Sequence, residues 1–202
     1  GGVKDNAYHL ILLAESTIGY QNLLKLSSIG YTEGFYYRPR IDKDILAQHS
    51  EGLICTSACI AGEIPVALRR DDFEAARQAV QSYLDIFGKD HYFLEIQDHG
   101  DEEHTQIRDK MINLAREMGV QLVATNDVHF LNEEDFEAHD ALCCINTGKK
   151  VSDAERMKYP PTVFLKSPEQ MRELFADAPD ACDNTLKIAE RCNVKVELGA
   201  HH

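Results

Sequence analysis

Four times along this chain a short apolar or β-branched run gives way to a longer segment with helical periodicity, the alternation that marks βα units. The runs are residues 8–14, 53–56, 92–97 and 120–125. The last is nearly continuous in apolar residues, as a parallel strand covered on both faces requires. A helix is expected after the first run, capped by Ser16 or Thr17, with Ile18, Leu23, Leu24 and Leu26 on or near its apolar side. A second starts at Asp71 and Asp72, puts Phe73, Ala76, Val80, Tyr83, Leu84 and Phe87 on one face, and stops at Gly88. A third runs from about Asp101 through Ile107, Met111, Leu114 and Met118 to Gly119; a fourth, capped by Asn132, passes Phe136, Leu142 and Ile145 and closes at Gly148. Residues 59–70 read as a looser segment. The fold class is therefore α/β.

After Gly148 the alternation stops. A polar stretch ending in Tyr159-Pro160-Pro161 leads to a brief run, Thr162 to Leu165, and then to two helices with no strand between them. Ser167-Pro168-Glu169-Gln170 combines a capping serine, a proline at the first helical position and a glutamine three residues on. The last helix, roughly Pro179 to Cys192, should bury Ala181, Leu186, Ile188, Ala189 and Cys192. This divides the chain at 148, with an α/β body over residues 3–148 and an extension over 149–199. No solenoid repeat or low-complexity tract is present.

Composition closes off other classes. With 202 residues, 44% of them hydrophobic, the chain can bury a core, so disorder and a disulfide scaffold lose their basis. The longest apolar run, Leu10 to Ala14, falls far short of the roughly 20 residues that cross a bilayer, and no export leader opens the sequence, so a cytoplasmic protein without a membrane partner is expected. Six cysteines without CxxC spacing read as reduced, mostly buried thiols. The formal charge of 21 minus 34, or -13, argues against a surface that grips nucleic acid by charge alone. Gly1-Gly2 and Ala200-His201-His202 read as remnants of cloning and of an affinity tag, outside the chemistry.

In parallel α/β folds the working residues gather just beyond the strand ends. There lie Ser57-Ala58-Cys59, Asp98-His99-Gly100 and Asn126-Asp127-Val128-His129. Asp127 and His129, two apart, could present a carboxylate and an imidazole together, as a metal or proton-transfer site needs. Each also has a plainer reading. Cys59 could be a buried apolar thiol, His99 a turn cap, Asp127 an N-cap with His129 a satisfied histidine. His104 and His139 should face solvent or a polar neighbour, and Cys143-Cys144 should pack. Nothing here makes a phosphate loop, nucleophile elbow or dinucleotide fingerprint.

Longer strings are specific. Tyr8-His9-Leu10 through Leu13-Ala14, Gly34-Phe35-Tyr36-Tyr37-Arg38-Pro39-Arg40-Ile41-Asp42, Glu51-Gly52-Leu53-Ile54, Phe93 through Gly100, Val123 through Phe130 and Ile188 through Val194 resemble the polymerase and histidinol phosphatase (PHP) domain of the bacterial DNA polymerase III alpha subunit family. The resemblance runs over essentially the whole chain. It implies an irregular (β/α)7 barrel whose strand ends can hold up to three metal ions, usually zinc, manganese or iron, through nine ligand positions. His9, Cys59, Asp127 and His129 match four of them; His99 matches none and ranks below. His9 rests on the resemblance alone, because it lies at the leading end of its run. The family's opening segment, with five further ligands, has no counterpart in this sequence. The expected fold is thus an incomplete barrel with a helical C-terminal extension, at most partly occupied by metal.

By the same resemblance the parent would be a DNA-directed DNA polymerase working on a primer-template with a proofreading subunit and a sliding clamp. Its PHP domain would remove 3′-terminal nucleotides by metal-dependent hydrolysis, with Asp127 and His129 catalytic and the fragment itself inactive. A non-catalytic module that stabilises the polymerase and docks the proofreading subunit is the alternative. A free-standing phosphoesterase fits the ligands but not the tail after Gly148.

Overall fold

The computed structural model describes residues 7–196 and residue 199; the terminal stubs at Gly1-Gly2 and Ala200-His201-His202 lie outside the described residues. In chain order the elements are β1 (Ile11–Ala14), α1 (Thr17–Thr32), α2 (Lys43–Gln48), β2 (Leu53–Thr56), α3 (Glu63–Arg69), α4 (Phe73–Phe87), β3 (Tyr92–Ile96), α5 (Glu102–Met118), β4 (Gln121–Ala124), α6 (Phe136–Thr147), α7 (Pro168–Leu174) and α8 (Pro179–Arg191), with a 3-10 turn over Glu133–Asp135 before α6. The helix starts carry the capping bonds their residues promise. Ser16, Asp72, Asp101 and Ser167 accept backbone N–H bonds from the residues three positions on. Gly88, Gly119 and Gly148 end α4, α5 and α6 at positive φ.

The strands form one sheet in the order β1-β2-β3-β4. β2, β3 and β4 are parallel, and β1 is antiparallel to β2, with Ile11 opposite Thr56 and Ala14 opposite Leu53. The described residues build a four-stranded sheet, consistent with the expected α/β class, and close no barrel. One expectation changes here. The first run, expected to span residues 8–14 as one more βα strand, shortens to Ile11–Ala14 and reverses direction. The reversal has a local cause. A single helix would return the chain to start a parallel strand, but α1 is followed by a second traverse through α2, which brings Gly52 back against Gly19 at the start of α1.

Alternate residues of the strands enter two cores. Leu53, Cys55, Tyr92, Leu94, Ile96, Leu122 and Ala124 join Ile64, Leu68, Val80, Ile107, Met111 and Leu114 from α3, α4 and α5. On the opposite face Ile54, Phe93 and Val123 pack with Ile188 of α8. Ile11 and Leu13, neighbours of Thr56 and Ile54, stay exposed. The segment 149–199, set apart in the sequence reading, contributes Val163, Phe175, Ala178, Ala181 and Cys182 to the buried set. Asn184 Nδ2 donates to Leu122 O at 2.8 Å, so α8 satisfies part of the edge of β4. Arg191 Nε meets Glu15 Oε1 at 2.5 Å, tying α8 to the end of β1. Leu186 and Ala189, expected to be buried, are exposed, as are Leu142 and Ile145 of α6. The buried positions of α8 are Ala181, Cys182, Asn184 and Ile188, mostly small residues that let the helix approach β4. Residues 59–70, read as a loose segment, contain α3.

All six cysteines are free thiols, and Cys55, Cys144 and Cys182 are buried. Among the described residues no helix is long and apolar enough to cross a membrane. Tyr92, fully buried and stacked on Tyr83 at 5.2 Å, has a hydroxyl with no hydrogen-bond partner. Tyr92→Phe should therefore stabilise the chain by about 1 kcal/mol, because it removes a desolvated donor while keeping the ring. A rise in urea midpoint checks this; a fall would mean that the hydroxyl is satisfied in solution.

Candidate metal and hydrolytic site

The carboxyl ends of β2, β3 and β4 point the same way, and the antiparallel β1 brings its leading end beside them. This puts His9 where a parallel first strand could not. His9 bridges to Gly62, and its N–H donates to Ala61 O at 3.1 Å. Its Nδ1 lies 3.4 Å from Cys59 Sγ. His9, Cys59 and Asp127 line one open cavity of about 390 Å3, together with Tyr8, Leu10, Ile11, Ala58 and Gln97. Three residues far apart in sequence are thus brought to one cavity.

His129 stands just outside it. Its Nδ1 lies 2.6 Å from Asp127 O, and a carbonyl can only accept, so Nδ1 is the donor in this contact. The ring rests against Tyr159 at 4.1 Å and His139 at 5.8 Å. His139 also approaches Cys143 Sγ at 3.8 Å, and His104 bonds Asp101 through Nδ1 at 2.6 Å. Both meet the polar neighbours expected of them.

The backbone is strained at two places in this rim. Ala58 has φ 59° and Asp127 φ 45°, left-handed conformations uncommon for residues with a side chain. Each stands at the turn that aims a candidate side chain. Burial pushes the Cys59 thiol up in pKa, opposed by a backbone hydrogen bond at Ala61 and reinforced by the carboxylates of Asp127 and Glu95. The free thiol therefore stays protonated unless a cation draws its proton away.

His99 is 8% exposed, and its Nε2 has no hydrogen-bond partner. Burial and then His104, whose ring sits edge-on at 4.7 Å, hold its imidazole below the ordinary pKa. It is absent from the lining of the cavity shared by His9 and Cys59.

Two buried polar residues were given no role in the sequence reading. Asn126 donates through Nδ2 to Thr162 O at 2.8 Å and to Phe164 O at 2.7 Å, pinning the 162–166 segment beside the β4 exit. Glu95, 4% exposed, accepts bonds from Thr56 Oγ1, from Thr125 Oγ1 at 2.6 Å and from Gln97 Nε2 at 2.9 Å. A charged residue inside the apolar run Tyr92–Ile96 was the signal that could have found it.

The donors around the cavity, an imidazole, a thiol and a carboxylate, suit a thiophilic divalent ion such as zinc in kind. They do not close a coordination shell. Among the described residues no three His, Cys, Asp or Glu side chains are grouped so that they could hold a metal ion.

Residues 2–99 match the sequence profile of the PHP domain. The chain is also similar to proteins named DNA polymerase III subunit alpha. That of Borreliella burgdorferi is 51% identical over 188 residues, covering 93% of this chain and 16% of the relative. That of Treponema pallidum is 47% identical over 190 residues, covering 94% and 16%. That of Thermus aquaticus is 40% identical over 202 residues, covering 98% and 16%. The chain thus spans about one sixth of the length of these curated relatives.

Proposed function

Because residues 2–99 are a PHP domain and the chain follows DNA polymerase III alpha subunits along nearly all its length, we propose that it is part of a replicative DNA polymerase and contributes four ligands to a metal-dependent phosphodiesterase site. The observation that carries this reading is the convergence of His9, Cys59 and Asp127 on one cavity at the strand ends, with His129 alongside. In the whole protein, further ligands would complete the shell, and the reaction would be removal of a 3′-terminal nucleotide from a primer strand.

A bound divalent ion would acidify a water molecule and polarise a phosphoryl oxygen. The chain's own residues do the rest. His9 and Cys59 form one wall, held by the bridge to Gly62. Asp127, turned into the cavity by its left-handed backbone, offers a carboxylate. Its carbonyl accepts from His129 Nδ1, which would leave Nε2 as the ring nitrogen available to an ion. The ion, not a basic surface, would offset the charge of -13 that repels DNA.

Assay of the full-length parent on a mispaired primer tests this. Asp127→Asn should lower excision at least about 100-fold, since it removes a ligand from the reacting centre, while primer extension continues. Undiminished excision would overturn it.

The open coordination shell favours a second reading, in which the domain stabilises the polymerase, docks a separate proofreading subunit and hydrolyses nothing. Under it, chelation lowers the melting temperature of the intact protein and excision is absent throughout. In either case the partners would be a primer-template and other replisome subunits, including a sliding clamp, in the cytoplasm.

A further inference from the structure

The loop between α1 and α2, which carries the string Gly34 through Asp42, has no part in the site above. It is closed tightly at its base. A Cβ at Gly34 would stand 1.9 Å from Arg40 O, and one at Gly30 would meet Pro39 and Arg40 N at 3.6 Å, so α1 holds both ends of the loop together. Tyr36 N donates to Arg38 O at 3.1 Å across the tip, which leaves Tyr37 at the apex with φ 60° and 80% exposed. A left-handed backbone is costly for a residue with a side chain, whereas glycine takes it freely. The strain lifts a bulky ring into solvent, where its recorded ring contact is the edge of Tyr36 at 4.6 Å.

The chemistry of the loop is as particular as its shape. Tyr31, Phe35, Tyr36 and Tyr37 are all exposed, so a quarter of the chain's 8 tyrosines and 8 phenylalanines taken together project from one short stretch. Residues 31–40 contain no Leu, Ile, Val or Met, and residues 34–41 no Asp or Glu, in a chain of net charge -13. Arg38 is exposed and makes no ion pair among the described residues. Arg40 lies over Tyr36, its guanidinium carbon 4.8 Å from the ring centroid. A face for docking protein would offer aliphatic side chains for burial. Flat rings beside guanidinium groups, on a patch free of carboxylates, instead match unstacked bases joined by phosphates.

We propose that this loop binds single-stranded nucleic acid, with Tyr37 stacking on a base and Arg38 contacting a neighbouring phosphate. Tyr36, edge-on to Tyr37 and backed by Arg40, fixes the direction of the stacking ring. The tight base gives the loop its bound shape in advance, so little ordering entropy is lost on binding. The proposal stands apart from the hydrolytic reading, since it needs neither a cation nor bond cleavage. It also agrees with the charge of -13, which opposes binding by charge alone but not stacking on rings.

Fluorescence anisotropy of a labelled oligothymidylate of about 12 nucleotides tests it on the 202-residue chain at low salt, beside an oligouridylate and an abasic strand of equal length. At least one base-bearing strand should bind, the tighter telling DNA from RNA, and the abasic strand should bind at least about fivefold more weakly. Equal binding of the abasic strand, or no binding of any strand, would overturn the proposal. Tyr37→Ala should weaken binding about 5- to 100-fold, and Tyr37→Phe, which keeps the ring, by less than about twofold. Unchanged affinity in the alanine variant would remove Tyr37 from the contact and end the proposal. Arg38→Gln should flatten the dependence of log affinity on log salt by about 0.7, the share of one phosphate contact; an unaltered slope would count against that contact. Tyr37→Gly removes ring and strain together, so it should lose affinity as alanine does while melting at an unchanged or higher temperature. A lower melting temperature would mean that the ring serves the fold and not a ligand. Self-association of the chain that is lost in Tyr37→Ala, with no strand bound, would assign the loop to a protein contact and sink the nucleic-acid reading.

Discussion

Gly62→Ala should destabilise the chain by at least about 3 kcal/mol and separate His9 from Cys59. Gly62 caps α3 with φ -70° and ψ 161°, a conformation open to any residue, so backbone preference does not oppose alanine. The obstacle is space. A Cβ at Gly62 would stand 2.1 Å from Ser57 O and 3.2 Å from Cys59 O, both backbone atoms that no rotamer change can move. The Gly62 N–H also donates to Cys59 O at 2.8 Å. The turn must therefore open, and with it the bridge that holds His9. Urea denaturation should show a lowered midpoint at unchanged slope. An unchanged midpoint would mean that the 57–62 turn can absorb a methyl group.

Gly19→Ala carries a sharper contrast, because its sign reverses an ordinary rule. In an exposed helix interior this change gains about 1 kcal/mol of helix propensity. Here the Cβ would lie 1.9 Å from Gly52 O, where α1 crosses the entry to β2. Gly52 O already accepts from Glu15 N at 2.9 Å, so it cannot retreat without breaking the β1 exit. A net loss of at least about 3 kcal/mol is expected, read from the same urea midpoint. A stabilised variant would show that α1 and Gly52 are not in contact.

These two glycines mark where the sequence was hardest to read. Helix ends were legible because caps and stops act locally: Asp72, Asp101, Ser167, Gly88 and Gly119 each do what their chemistry suggests within one turn. The direction of β1 was not, because a strand's own residues are the same whichever way it runs. It depends on how often the chain crosses the sheet between strands, and the six-residue α2 is too short to show a period. Cys59, Asp127 and His129 were legible as candidates from their places beyond strand ends. The approach of His9 to Cys59 was not legible, since it arises only once β1 is reversed. Glu95 and Asn126 were given no role; their hydrogen-bond partners lie 30 or more residues distant, apart from Gln97 two residues on from Glu95. The exposure of Leu142, Ile145 and Leu186 belongs to the same class, since periodicity finds a helix but not what covers it.

The tie between Arg191 and Glu15 spans 176 residues, and Asn193 N donates to Glu15 O beside it. In kinetic terms this is a late contact. All four strands are synthesised by Ala124, yet Ile54, Phe93 and Val123 wait for Ile188 to cover them. During translation a sheet with one uncovered face must persist while more than sixty further residues emerge, and contacts of such separation form slowly. Among the described elements α8 is therefore expected to be the one that covers this face latest, and before it docks the exposed face is open to mispairing.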